Sequence, residues 1–326
     1  LQRLMVKQTF NRSAEQLALE IETLGTSIGR ISTDDSFGFS VGGLSHNLPY
    51  AMDVLFDVLT NPRFTADQLE REVEAHLSAI AGVQDQTSTL ALQLARGSMF
   101  PEHPYGLPEL GFSVVVQNLT LGRLEEHHVD VVRPEAMVLT VVGDVDAQAV
   151  HDFVRLYTDA WKLGGEVLPA PASEFYSKQR FPTVPRLLDD REQEVQKDRA
   201  QTALVLGWQT VERTHPDTVP LDVLQAITGG LCGTFFEEIR TRRGLAYQVA
   251  TLDVSDAMGG WFGAFGACSP DSAEVVKELV TKLVEDLTEE APAESDLERA
   301  RNYVAGAWSV GLQTNLARSG LLGALE

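Results

Sequence analysis

Apolar positions along this chain alternate between a spacing near 3.6 and a spacing of 2, and the switches set out an α+β protein before any single residue is weighed. Leu1, Leu4 and Met5 begin with a helical turn. Ser13 followed by Gln16 makes a capping box, Leu17, Ile21 and Leu24 form the stripe of the helix it opens, and Gly25 stops it. Two alternating runs, residues 27–33 and 36–44, meet at Asp34 and Asp35 and read as an antiparallel hairpin. Helices are expected over 49–60, from a Thr65 cap to 83, over 90–99 and over 119–132, with turn chemistry at 101–106. Residues 137–142 read as a buried strand and 147–161 as an amphipathic helix.

Residues 164–195 break the pattern, with Gly164, Gly165, four prolines and then a charged run. This divides the chain into an N-terminal domain 1–163, a linker 164–195 and a C-terminal domain 196–326. The second part continues with a strand at 201–208 and a helix at 219–228. A hairpin of strands 248–255 and 261–267 turns at Met258, Gly259 and Gly260, and helices follow at 272–287 and from a Ser295 cap. Both parts run hairpin, helix, proline turn, capped helix, with Gln68-Leu-Glu-Arg71 matched by Asp296-Leu-Glu-Arg299. That is a loose long-period duplication.

Between helix 219–228 and strand 248–255 lies the most eventful stretch. Gly229, Gly230 and Gly233 open it, a helical pattern with Phe235, Phe236 and Ile239 follows, and Gly244 is placed to cap its end. Arg240, Arg242 and Arg243 crowd the last turn, where a helix dipole favours cations, and Tyr247 heads the next strand. On residues alone this is either a substrate-handling surface or an ordinary loop, helix and strand.

Composition narrows the choices. At 326 residues, 44% hydrophobic and 22% charged, the chain has the makings of two globular domains. No window is apolar enough for a membrane span. A net charge of −21 argues against nucleic acid and anionic membranes as partners. Two cysteines, Cys232 and Cys268, give neither a disulfide framework nor a thiolate zinc cluster. Of seven histidines, none has another one helical turn away with a carboxylate between, and His103 reads as a turn residue. No serine sits in a nucleophile elbow, and Cys232 has no evident base.

The segments Lys7-Gln-Thr9 through Asn11-Arg-Ser-Ala14, Leu59–Phe64 with Leu69-Glu-Arg71, His103-Pro-Tyr-Gly106, Val142-Gly-Asp144 and Arg240 to Gly244-Leu-Ala-Tyr247 occur in an order that resembles the insulinase (pitrilysin-type) zinc peptidase family, in its mitochondrial-processing-peptidase-like branch. The resemblance implies an α+β fold of two similar domains, each an antiparallel β-sheet with helices packed on one face. Active members carry an inverted H-x-x-E-H zinc motif and a distant glutamate ligand. Aligned through Lys7 and Asn11, the general base falls on Gln2, the second ligand on Arg3 and the third on Ala79, with the first ahead of Leu1. An amide is no base and a guanidinium no ligand, so the chain is expected to hold no metal, with zinc in a catalytic partner of the same family.

The resemblance further implies that Arg240 and Tyr247 face the partner's zinc and that Gly229, Gly230 and Gly233 touch substrate, an unfolded peptide. The expected function is that of a non-catalytic subunit of a heterodimeric zinc metallopeptidase, with a homodimer possible in isolation. The alternatives are a structural scaffold like the core proteins of a respiratory complex, and an active enzyme with a displaced metal site. The compartment is left open between a bacterial cytoplasm and periplasm.

Overall fold

The computed structural model describes residues 1–164 and 183–325. Helix α1 (Gln2–Met5) drives Leu4 and Met5 into the interior, and α2 (Ala14–Thr23) starts on the expected capping box, Gln16 Oε1 accepting from the Ser13 N–H at 2.9 Å. Gly25 ends α2 at φ +65°, a left-handed geometry that suits glycine. Strands β1 (Ile28–Ser32) and β2 (Phe37–Val41) pair antiparallel, Ile28 opposite Val41, as a two-stranded sheet. Helices α3 (Leu48–Thr60), α4 (Ala66–Asp85), α5 (Thr87–Met99), α6 (Ser113–Gln117), α7 (Leu121–Val131) and α8 (Ala147–Gly164) follow.

Beyond them come β3 (Thr202–Thr210), helix Thr218–Thr228, a short helix Thr234–Phe236 running into a π-helical turn Glu237–Arg242, β4 (Ala246–Asp256) and β5 (Gly259–Cys268). Helices Ala273–Glu289, Glu294–Gly311 and Asn315–Leu325 close the described chain. Ser295 therefore lies inside the helix it was expected to cap.

Packing groups these elements into two compact units, discontinuous in sequence: residues 1–77, 113–180 and 311–326, and residues 78–112 and 181–310. Most of the expected linker, residues 165–182, lies outside the described residues. In the first unit Met5, Leu17, Val54, Val58 and Val132 form the core, and Phe56 of α3 stacks on Tyr157 of α8 at 4.9 Å. In the second, β5 is the middle strand of the order β3-β5-β4 and is buried along its whole length. Period-2 alternation splits β3 between two clusters. Leu204, Leu206 and Trp208 pack towards Phe235, Ile239 and Val276, whereas Val205 packs towards Met99, Phe100 and Tyr105.

One expected strand does not form. Residues 137–142 have no regular structure, and Val138 and Leu139 are exposed. No described strand pairs with them; Thr140 instead donates its hydroxyl to the Ser319 carbonyl of helix Asn315–Leu325 at 2.9 Å. An apolar run becomes a strand only where a ladder partner takes its backbone groups. Hairpin, α3, α4 in the first part and β4–β5 hairpin, Ala273–Glu289, Glu294–Gly311 in the second do keep the repeated order. No helix among the described residues is long and apolar enough to cross a membrane.

Candidate functional site

Helix Thr218–Thr228 ends where the Gly229 N–H still bonds the Gln225 carbonyl at 2.7 Å. The chain then reverses through Gly230, at φ +73°, and Gly233 tucks back against the carbonyls of Thr228 and Gly229. A Cβ on Gly233 would lie 2.0 Å from the Gly229 oxygen, so the loop's compactness depends on that glycine. The reversal throws Leu231 outward, 78% exposed, with Cys232 exposed beside it. Cys232 and the buried Cys268 are both free thiols.

The next turn departs from the α-helix the sequence pattern implies. After Phe236 the backbone widens into a π-helical turn, a form that appears mostly as single-turn insertions. Phe235 and Ile239 still point into the core. Gly244 caps the turn at φ +62°, its N–H bonding the Arg240 carbonyl at 3.1 Å. Arg242 pairs with Glu237 and Glu238, and Arg243 with Glu238, so the acids of the same turn neutralise those two cations. Arg240 has no carboxylate partner among the described residues. Its guanidinium lies 5.1 Å above the Phe236 ring and donates from Nη1 to the Tyr247 carbonyl at 2.7 Å.

Tyr247 sits where the β4–β5 register slips between Ala246 and Gln248. A bulge leaves one residue out of the ladder and re-aims its side chain, and Tyr247 is accordingly 62% exposed on an edge strand. The structure thus joins the two singled-out residues through a backbone carbonyl: the arginine fixes the bulge, and the bulge presents the phenol.

Farther along the same strand, Asp253 is only half-exposed, and its Oδ1 is buried with no hydrogen-bond partner. Desolvation, helped by the charge of Asp222, pushes its carboxyl up from 3.8 to about 6. A raised acid favours the fold below its unfolded value and loses that contribution as pH climbs from 3.8 to about 6. Asp253→Asn is therefore expected to raise the thermal unfolding midpoint near neutral pH. The gain is about 1 kcal/mol once solvent screening is allowed for, and it vanishes near pH 4 in paired melting curves.

The remaining singled-out positions lie at the other end of the sequence. Gln2 spends its amide Nε2 on the carbonyls of Ile31 and Gly38, at 2.6 and 2.9 Å, clipping α1 to the hairpin. Arg3 pairs through Nε with Glu72 of α4 at 2.6 Å, and Lys7 reaches the same carboxylate at 3.0 Å. Partial burial would raise the Glu72 carboxyl, but the hydrogen bonds from Lys7 and Arg3 outweigh it and hold it below the ordinary range. A guanidinium offers no lone pair and repels a divalent cation, and the neutral Gln2 amide is no base, so these side chains do not fit a catalytic zinc ion. Ala79 is exposed on α4, seven residues past Glu72 and so on the same helix face. Among the described residues no group of three or more His, Cys, Asp or Glu is placed to hold a metal. His103 does what was expected of it, its Nδ1 accepting the Tyr105 N–H at 3.2 Å.

Sequence reasoning missed Arg30 and Glu72, which with Arg3, Val6 and Lys7 wall a pocket of about 290 Å³. The only available signal was Glu72 itself, three residues past the Leu69 of a segment already singled out, and nothing local ties it to Arg3.

Known proteins match this arrangement along its length. Residues 1–111 match the model of the insulinase family (peptidase family M16), and residues 118–304 that of the peptidase M16 inactive domain. An uncharacterized zinc protease of Mycobacterium tuberculosis is 29% identical over 328 residues, covering 100% of this chain and 73% of the relative. The uncharacterized zinc protease YmxG of Bacillus subtilis is 21% identical, covering 96% and 74%. Among solved structures, a peptidase M16 inactive domain from Pseudomonas fluorescens superposes with a TM-score of 0.85 at 20% identity, covering 99% of this chain and 75% of that one. A protease from Helicobacter pylori gives a TM-score of 0.85 at 19% identity, with coverage of 99% and 76%. At these identities the structures speak for the fold alone.

Proposed function

We propose, from the premise that this chain belongs to the insulinase (M16) peptidase family and carries its inactive domain, that it acts as the non-catalytic subunit of a two-subunit zinc peptidase. The observation that carries the reading is the exposed Tyr247 phenol on a bulge fixed by Arg240, in a chain whose resemblance-assigned base and ligand positions hold Gln2, Arg3 and Ala79. Zinc in a partner bearing the intact motif would supply the activated water. This chain's own contribution is to receive and polarise the peptide. Tyr247 O–H donates to the oxygen on which negative charge develops, a hydrogen bond that strengthens as the charge forms. Arg240, with Nη1 committed to the bulge, keeps other N–H groups for a substrate carbonyl or carboxylate. The 229–233 loop offers Leu231 as an apolar contact, and the β4 edge can take an extended segment as an added strand.

Mixing the chain with such a partner should give cleavage that neither shows alone. Tyr247→Phe leaves the bulge intact and removes only the phenol oxygen, so kcat should fall roughly 10- to 100-fold with assembly unchanged by gel filtration. Arg240→Ala also frees the bulge and should raise KM as well. Full activity of both variants would return the pair to ordinary structure and favour the scaffold alternative.

A further inference from the structure

We infer that the pocket between α1, β1 and α4, which includes Arg3, binds a carboxylate, and specifically the C-terminal carboxylate of a peptide. Its walls are Arg3, Val6, Lys7, Arg30 and Glu72. Three cations face one carboxylate there, a local charge of about +2 (3 − 1) in a chain of net charge −21. On so acidic a protein a pocket of this sign concentrates anions that the remaining surface repels.

The donors are positioned and not used up. Gln2 fixes α1 to the hairpin through the Ile31 and Gly38 carbonyls, the register pair next to Arg30 on β1. Glu72 takes only Nε of Arg3 and one donor of Lys7. The Arg3 Nη groups and the whole Arg30 guanidinium have no partner among the described residues. A planar guanidinium fork matches the two oxygens of a carboxylate. A divalent cation would meet those same charges as repulsion. The volume of about 290 Å³ holds a terminal residue with Val6 as its apolar wall, and no folded partner. The choice of a peptide as the carrier of the carboxylate rests on the peptidase reading above; the preference for an oxyanion does not.

The test is fluorescence anisotropy on the isolated full chain at low salt, using a labelled acetylated alanine-glycine hexapeptide as free acid and as C-terminal amide, with inorganic phosphate as competitor. The free acid should bind at least about tenfold more tightly than the amide, because the amide brings no charge to the fork. Arg30→Ala should remove that preference. Arg30 is exposed and unpaired, so its loss leaves the fold intact, which unchanged circular dichroism confirms. Raising salt from about 20 to 200 mM should weaken binding several-fold, since Arg3 and Lys7 are partly solvated. The readout is binding to the isolated chain, with no catalytic partner present, which separates this pocket from the cleavage assay. Equal binding of acid and amide, or a preference that survives Arg30→Ala, overturns the proposal. Phosphate displacing the peptide at concentrations well below the peptide's own Kd overturns its commitment to a peptide end.

Discussion

Asp57→Ala should cost the fold about 3–5 kcal/mol, measured as the shift of the first urea-unfolding transition. Asp57 is 4% exposed, yet it is a charged residue on α3. Oδ2 accepts from Thr9 Oγ1 at 2.6 Å and from Arg12 Nη1 at 2.7 Å, and Oδ1 accepts from Asn11 Nδ2 at 2.6 Å and Asn61 Nδ2 at 3.0 Å. Burial would raise this carboxyl, but four donated hydrogen bonds outweigh it and hold it below its ordinary value. Its contribution to stability is therefore present at neutral pH and is lost as pH falls through the lowered value. Alanine removes the acceptor and leaves four donors, among them the buried Thr9 hydroxyl, facing a gap. Arg12 would keep Glu20 and Asp53, which limits the damage from its own charge. Asp57→Asn tests the electrostatic part: it keeps the shape but removes the charge facing Arg12 and sets an NH2 against either Thr9 and Arg12 or Asn11 and Asn61, and should recover only part of the loss. A cost below about 1 kcal/mol for alanine would show that water already shares the site.

That hub also shows which parts of the fold were legible in the sequence. Ser13 and Gln16 announce α2 because both halves of a capping box lie within four residues. The β1–β2 hairpin and the Gly244 cap are equally local. Arg12 meets Asp57 across 45 positions and Arg3 meets Glu72 across 69, and no spacing rule reaches that far. The same limit hid the loss of a strand at 137–142, whose apolar pattern is sound and which finds no ladder partner among the described residues. At the candidate site, Arg240 and Tyr247 could be singled out by type and order. The π-helical turn and the bulge that relate them could not, because Phe235 before the widening and Ile239 within it keep the α-helical spacing of apolar positions. Residue identity supplied the chemistry, and backbone irregularity supplied its direction.

Gly233→Ala should be the most damaging single methyl in the second unit, at about 3 kcal/mol, and the neighbouring glycines calibrate it. Gly233 has ordinary backbone angles, φ −77° and ψ 150°, so conformation alone would admit any residue. The obstacle is contact: its Cβ would stand 2.0 Å from the Gly229 oxygen and 2.3 Å from that of Thr228, and backbone cannot rotate away. Gly229→Ala should cost less, since its closest approach, 2.5 Å, is to the Thr251 hydroxyl, though the Gln225 carbonyl follows at 2.9 Å. Gly230→Ala meets nothing within 4 Å and pays only for φ +73°, about 1 kcal/mol. Thermal unfolding of the three variants should fall in that order. Gly230→Ala is then the informative one for function, because it stiffens the turn that presents Leu231 while leaving the fold nearly intact. A several-fold rise in KM in the two-subunit assay, at unchanged kcat and assembly, is expected if the loop touches the peptide. An unchanged KM would mean that the three glycines serve the close packing of the loop and nothing beyond it.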